Sequence, residues 1–280
     1  MIVWANGKLV EAAALRIAPD DRGFLLGDGV FDTFGVRDGA PLWLDAHLAR
    51  LRASAAVFGI PVPFADEEIE TAARTLAARN GVTRGAGRLT LSRGAGQRGL
   101  LPPDPAKPFA LLAIAPSAPP GPSQAGPLRV LLSDVVRSST ALSSRWKTAS
   151  YIDNVEARRR ASIQDCGEAL LLNECGEIAC AAAANVFWIE GETLFTPSLD
   201  CGVLAGVTRA RVLQIAKSQG VDAREGRFGL DALRTADALF LTNSVAGVVP
   251  VATVVSSAGE RHFDAADALV QTLKTAEMLP

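Results

Sequence analysis

The order of apolar and polar residues predicts short strands interleaved with a few amphipathic helices. Met1-Ile2-Val3-Trp4 runs into the turn pair Asn6-Gly7, the pattern of a short edge hairpin. An apolar-rich run predicts a strand around Val30–Arg37, and Asp38-Gly39 after it predicts a hairpin turn. Leu44, Leu48, Leu51, Ala55 and Phe58 recur at helical spacing, so a helix is expected from a cap at Asp45. A second helix is expected over about 66–80, capped by Asp66 and closed by Asn80-Gly81. Strands follow at Gly87–Ser92 and Phe109–Ala115. Beyond them the pattern predicts strands at Leu128–Asp134, Glu168–Asn173, Ile178–Ala181, Asn185–Ile189, Glu192–Thr196, Asp237–Thr242 and Val249–Val254. Helices are expected at Tyr151–Asp165, at Thr208–Gln219 and from near Asp264. Such mixing points to α+β lobes and not to a doubly wound parallel sheet.

The one segment that reads as a linker is 117–127, where proline and glycine dominate and no apolar period survives. It divides the chain into an N-terminal lobe, 1–116, and a C-terminal lobe, 128–280, as a length of 280 residues leads one to expect. With 49% hydrophobic and 21% charged residues the composition is that of a globular enzyme. A net charge of −2 gives no reason to expect a nucleic-acid partner, and Arg158-Arg159-Arg160 reads as a solvated helix face. The longest apolar run, Phe109 to Ala115, is far too short to span a bilayer. The four cysteines form no CxxC pair, and no secretory leader is visible, so a reduced, cytoplasmic protein is expected. Two histidines and unpaired cysteines speak against a catalytic metal.

Chemistry gathers at a few places. Lys147 lies in Trp146-Lys147-Thr148-Ala149-Ser150-Tyr151, with the only tyrosine of the chain one helical turn later. In so neutral a setting the amine is either a desolvated nucleophile or a lysine whose head snorkels to water. Gly202-Val203-Leu204-Ala205-Gly206-Val207-Thr208-Arg209 runs from a turn into a helix, where the amides of Val207 and Thr208 suit an anion; Thr208 is equally an ordinary helix cap. Thr242-Asn243-Ser244 offers a second set of small donors. Arg93 and Arg98 stand on a glycine-rich loop, fit for carboxylate capture or simply solvated. Arg50 is expected on the face of its helix opposite the apolar stripe, and His47 as a structural residue.

Taken together these blocks resemble the class-IV aminotransferase-like family, the fold-type-IV enzymes of pyridoxal 5'-phosphate. The resemblance runs through Asp21-Arg22-Gly23-Phe24, Gly27-Asp28-Gly29-Val30-Phe31-Asp32-Thr33, His47-Leu48-Ala49-Arg50-Leu51 and Ser92-Arg93-Gly94. It continues through Lys147-Thr148 with Tyr151, Asn185-Val186-Phe187, the 202–209 block, Thr242-Asn243-Ser244 and Val249-Pro250-Val251. It implies a two-lobed α+β or α/β fold like that of the D-amino-acid aminotransferases, with the cofactor between the lobes, and a homodimer whose partner closes each site. It also implies roles. Lys147 carries the cofactor as its Schiff-base lysine and acts with Thr33 in catalysis. Tyr151 bonds the phenolic oxygen; Arg50, the amides of Val207 and Thr208, and Ser244 hold the phosphate; Leu204 packs on the pyridine ring, and Asn243 and Cys180 also border the cofactor. Phe31, Arg93 and Arg98 face the substrate.

One position departs from the family. Its pattern places a glutamate, partner of the pyridine nitrogen, where Gly176-Glu177-Ile178-Ala179-Cys180 puts Cys180. A thiol is a weak donor and cannot hold a pyridinium as a carboxylate does, so a weaker electron sink is expected. Glu177 has the wrong strand parity to replace it, and Glu174 lies about 20 Å off if the strand is continuous. Three features resemble the members that eliminate pyruvate from 4-amino-4-deoxychorismate. They are Asn243-Ser244, Phe31 followed by Asp32-Thr33 without a tyrosine, and the Arg93–Gly99 loop with Leu100 after it. An aminotransferase for D- or branched-chain amino acids is the alternative, and a non-catalytic vitamin-B6-binding relative the second.

Overall fold

A computed structural model describes residues 1–117 and 126–277. Most of the expected linker therefore lies outside the described residues. The chain forms two compact units, and the division is not a simple cut. Met1–Ala118 is joined by Trp146–Ser150 in the first unit, while Pro119–Arg145 and Tyr151–Pro280 make the second.

In the first unit the strands are β1 (Ile2–Ala5), β2 (Lys8–Glu11), β3 (Gly29–Arg37), β4 (Ala40–Pro41), β5 (Arg84–Ser92) and β6 (Phe109–Pro116). Its helices are α1 (Arg22–Leu26), α2 (Leu44–Val57) and α3 (Asp66–Arg79). The strands form one antiparallel sheet in the order β2-β1-β6-β5-β3-β4. Alternation along β3 and β5 sends Val30, Phe34, Val36, Leu89 and Leu91 to one face. There they meet Leu48, Leu51 and Ala55 of α2 and Ile69, Ala73 and Leu76 of α3 in one core. Phe31, Thr33, Arg88 and Thr90 consequently share the other face.

Both helix starts differ from expectation. Trp43, in the left-handed region at φ 47°, precedes α2, and Asp45 falls in the first turn without capping it. Asp66 is the first helical residue of α3, behind Ala65. In each case the carboxylate sits near the positive end of the helix dipole, so the acidic signal is real but displaced.

The second unit contains β7 (Leu128–Leu132), α4 (Leu142–Arg145), α5 (Ile152–Ile163), β8 (Glu168–Leu172), β9 (Ile178–Ala181), β10 (Asn185–Glu190) and β11 (Thr193–Pro197). It continues with α6 (Val207–Ser218), β12 (Asp222–Gly226), α7 (Ala232–Thr235), β13 (Ala238–Asn243), β14 (Gly247–Ser256), β15 (Gly259–His262) and α8 (Ala268–Glu277). The nine strands form one sheet ordered β12-β11-β10-β13-β14-β7-β8-β9, with β15 beside β14. Most neighbours are antiparallel, but β7 runs parallel to both β14 and β8, and β11 to β12. One face packs Phe187, Ile189 and Phe240 under α6 and α8 with Val212, Ala216, Val270 and Leu273. The other carries Val186, Trp188, Leu239 and Leu241 into a separate core.

Glu174 and Glu177 do not lie on one continuous strand with Cys180. Residues between β8 and β9 form a tight turn in which Glu174 accepts from the amide and hydroxyl of Ser139, at 2.8 and 2.6 Å. Glu177 pairs with Arg227 and accepts from the Asn173 amide. Neither carboxylate is offered to a ligand. Among the described residues no helix is long and apolar enough to cross a membrane.

Candidate active site

Lys147 is held by the backbone of β3. Along its 29–31 stretch β3 has β5 on one side only, since β4 reaches no further than Val36 and Arg37. The open side takes the segment Trp146–Ser150. The Phe31 amide donates to the Lys147 carbonyl and the Ala149 amide to the Gly29 carbonyl, each at 2.9 Å, with Val30 and Thr148 bridged. This segment is extended, and Tyr151 flanks the start of α5, which falls one residue after the start expected for that helix. The pairing sets Lys147 Nζ 4.4 Å from the centre of the Phe31 ring.

A second cation lies on that ring. The Arg88 guanidinium carbon is 3.6 Å from its centre, and Nε donates to Thr90 Oγ1 at 3.2 Å. Adding the two ring distances bounds the separation of this carbon from Lys147 Nζ at 8.0 Å. A cation over an aromatic face gains about 0.5–2 kcal/mol, enough to hold a guanidinium in place. Arg88 was not singled out from the sequence. Its signal was the only charge inside the run Gly85–Ser92, on the strand parity of Thr90 and cross-paired with Thr33.

Arg50 is not on a solvated helix face. It forms a fork on Asp32, with Nε to Oδ2 at 2.8 Å and Nη2 to Oδ1 at 2.7 Å, while His47 Nδ1 lies 2.7 Å from Oδ1. Asp32 and His47 are fully buried. Burial acts most strongly on Asp32 and raises its pKa, but the bonds from Arg50 and His47 and their charges outweigh it, so the carboxyl lies below its ordinary 3.8.

Arg93 is likewise engaged. Its Nε donates to Asp28 Oδ2 at 2.8 Å, and Nη1 and Nη2 to the carbonyls of Gly59 and Phe58 at 3.0 and 2.8 Å. With its whole fork inside the protein and the side chain buried, it is a strut and not a hand for substrate. Asp28 also binds Arg22, which ties down the carbonyls of Gly99, Leu100 and Leu101. Arg98 is exposed on the loop so anchored.

In the second unit the anion cup takes shape around the start of α6. Gly206 occupies the cap position, and no side chain caps this helix. A Cβ at Gly206 would collide with Asn185 Oδ1, so only glycine lets the turn lie against that side chain. Asn185 in turn donates to the Leu204 carbonyl at 2.9 Å. Thr208 is buried and its Oγ1 lies 3.5 Å from Ser244 Oγ, joining two hydroxyls to the leading amides of Val207 and Thr208. Asn243 is committed elsewhere: its Oδ1 accepts from the amides of Val245 and Ala246 and shapes the turn that presents Ser244. Thr242 Oγ1 is buried without a partner among the described residues. Amides, hydroxyls and a positive helix end make an oxyanion site, and these residues fit the phosphate of the expected cofactor. Cys180 lies in a small apolar cluster with Ala179, Cys201 and Val203. Desolvation pushes its thiol pKa up, so Sγ stays protonated. Among the described residues no group of His, Cys, Asp and Glu is arranged to hold a metal ion.

Comparison with known proteins bears on this arrangement. The family model for amino-transferase class IV matches residues 29–254. The aminodeoxychorismate lyase of Bacillus subtilis (strain 168) is 33% identical over 251 residues, covering 89% of this chain and 85% of that protein. Among solved structures, the 4-amino-4-deoxychorismate lyase from Pseudomonas aeruginosa superposes with a TM-score of 0.83 at 29% identity, covering 98% of this chain and 97% of that one. The T.th. branched-chain amino acid aminotransferase with pyridoxamine 5'-phosphate gives a TM-score of 0.89 at 25% identity, covering 99% and 92%.

The strut at Asp28 makes a pH-dependent contribution whose sign follows from its environment. Burial raises its pKa most, yet Arg93 and Arg22 together lower it below 3.8. An unfolded chain then binds this proton more readily than the folded one. The contribution is complete above pH 3.8 and disappears as the pH falls through the lowered folded value. Urea unfolding of the protein and of Asp28→Asn should therefore differ at pH 6 and converge in acid; a gap independent of pH contradicts the assignment.

Proposed function

We propose, for a chain that belongs to the class IV amino-transferases and so depends on pyridoxal 5'-phosphate, that the reaction releases pyruvate from 4-amino-4-deoxychorismate and leaves 4-aminobenzoate. The observation that carries this reading is that the Arg88 guanidinium and the Lys147 amine lie on the same Phe31 ring. This substrate bears two carboxylates, on the ring and on the enolpyruvyl group. Arg88 and the exposed Arg98 supply a cation for each. The likeness to the Bacillus subtilis lyase supports the same assignment.

The cofactor supplies a carbonyl carbon that an amine can join and a ring that accepts electrons. The chain does the rest. Lys147 holds the cofactor and takes the proton from the ring carbon bearing the substrate's amino group. Thr33, on the face of β3 shared with Phe31, relays that proton to the methylene of the enolpyruvyl group as the C–O bond from the ring to that group breaks, so that the group leaves as pyruvate and the ring becomes aromatic. Arg50, Ser244 and the amides of Val207 and Thr208 bind the phosphate. Tyr151 bonds the phenolic oxygen, and Leu204 packs on the ring. Cys180, a neutral thiol where the family places a glutamate, would offer the ring nitrogen at most a weak hydrogen bond. Elimination that creates an aromatic product depends less on the ring as electron sink than amino-group transfer does.

A second reading, transfer of an amino group from D- or branched-chain amino acids, has its support in the structural likeness to the T.th. branched-chain enzyme. We further infer a homodimer. Phe24, Leu25 and Leu26 of α1 and the adjoining Leu100 and Leu101 are all exposed in the single chain, a large apolar surface for a monomer.

Pyruvate should form from 4-amino-4-deoxychorismate without any amino acceptor, and Arg88→Ala should raise KM by about tenfold with little change in kcat. An absolute requirement for a keto-acid acceptor would replace this reading with the second. Cys180→Glu should raise amino-group transfer more than pyruvate release; a sharp fall in release with transfer unchanged sinks the argument from the weak sink. Sedimentation should give twice the 29.3 kDa chain mass, and a single-chain mass at micromolar concentration rejects the dimer.

A further inference from the structure

Asp32 is out of place by the logic of its strand. It points to the side of β3 that carries Val30, Phe34 and Val36, into the core beneath α2. A valine there would continue the pattern. Burying a carboxylate costs several kcal/mol before any partner is counted, and buried ion pairs are commonly no more stabilising than apolar residues of similar volume. Stability therefore gives no reason for the residue.

Geometry gives one. The Asp32 carboxylate receives the two Arg50 bonds, the His47 contact and the Thr33 amide at 2.7 Å. An ionised carboxylate offers only acceptors, so His47 Nδ1 donates to it. Two parallel bonds fix the plane of the guanidinium as one could not. The Nε–Nη2 edge is committed, and the orientation of the opposite edge is decided with it. His47, buried and 6.1 Å centre to centre from the Phe34 ring, keeps the carboxylate from turning.

We propose that Asp32 and His47 are positioning residues: they lock Arg50 into the orientation in which it receives the cofactor phosphate. This rests on the assignment of Arg50 to that phosphate. The rotamer freedom that a loose arginine surrenders on meeting an anion is surrendered here during folding instead. Removing the lock weakens the phosphate contact and leaves the remainder of the cofactor's binding intact.

The test compares pyridoxal 5'-phosphate with pyridoxal, which lacks the phosphate, by spectrophotometric titration of the full chain. Asp32→Asn should weaken the phosphorylated form roughly 30-fold and leave pyridoxal within about twofold. His47→Phe, which preserves the ring beside Phe34, should show a smaller loss of the same kind. If Asp32→Asn fails to fold, Arg50→Lys keeps the charge without the fork and should show the same selective loss. An equal loss for both ligands, or none for either, in Asp32→Asn overturns the positioning role; for Arg50→Lys in its place, selectivity equal to the unaltered chain does so. Arg50→Ala separates the two levels: an unchanged preference for the phosphorylated form there removes the phosphate assignment itself. A lost preference there with an unaltered one in Asp32→Asn removes only the lock.

Discussion

Two backbone hydrogen bonds organise the first half of the candidate site. The carbonyl of Lys147 takes the Phe31 amide and the Ala149 amide gives to Gly29, and through them a segment from the middle of the chain becomes part of the N-terminal sheet. The bonds need a free strand edge, which β3 has only because β4 is two residues long. The amine then stands against Phe31, an aromatic ring that also carries Arg88. Position and electrostatics come from the same short piece of pairing.

The two faces of β3 divide the labour around this point. The face with Phe31 and Thr33 carries the amine and the exposed cation; the face with Asp32 carries a buried one. Arg50 and Arg93 are both held by a carboxylate inside the first unit, yet to different ends. Arg93 turns all three of its nitrogens to partners inside the protein. Arg50 gives two parallel bonds to a single carboxylate, which fixes its plane. An arginine's chemical identity thus says little until its partners are counted.

Strands and helices were legible wherever an apolar period recorded them. Val30–Arg37 and the face of α2 through Leu48, Leu51 and Ala55 follow directly from the pattern, as does the glycine-led start of α6. What escaped was set by contacts between residues distant in sequence. Nothing near Arg93 announces Asp28, 65 residues earlier, as its partner. Asp32 left no sign that it would claim Arg50, 18 residues on, because a lone acid in a strand usually faces water. Arg88 became visible only when register placed it against Thr33 and its guanidinium over Phe31. The segment at Lys147 carries no apolar period of its own: its conformation belongs to the strand it pairs with and not to its own residues.

That pairing also bears on how such a chain could have been assembled. The proline-rich linker looks like a seam between two independent modules. Severing the chain there would leave an N-terminal fragment with an open strand edge and no amine, because the strip that fills the edge is encoded in the other half. The C-terminal fragment would carry the lysine with no sheet to hold it. The two units are compact, but they are not separable cassettes; each exchange of one for a homologue's must bring the five residues Trp146–Ser150 along with the sheet they complete.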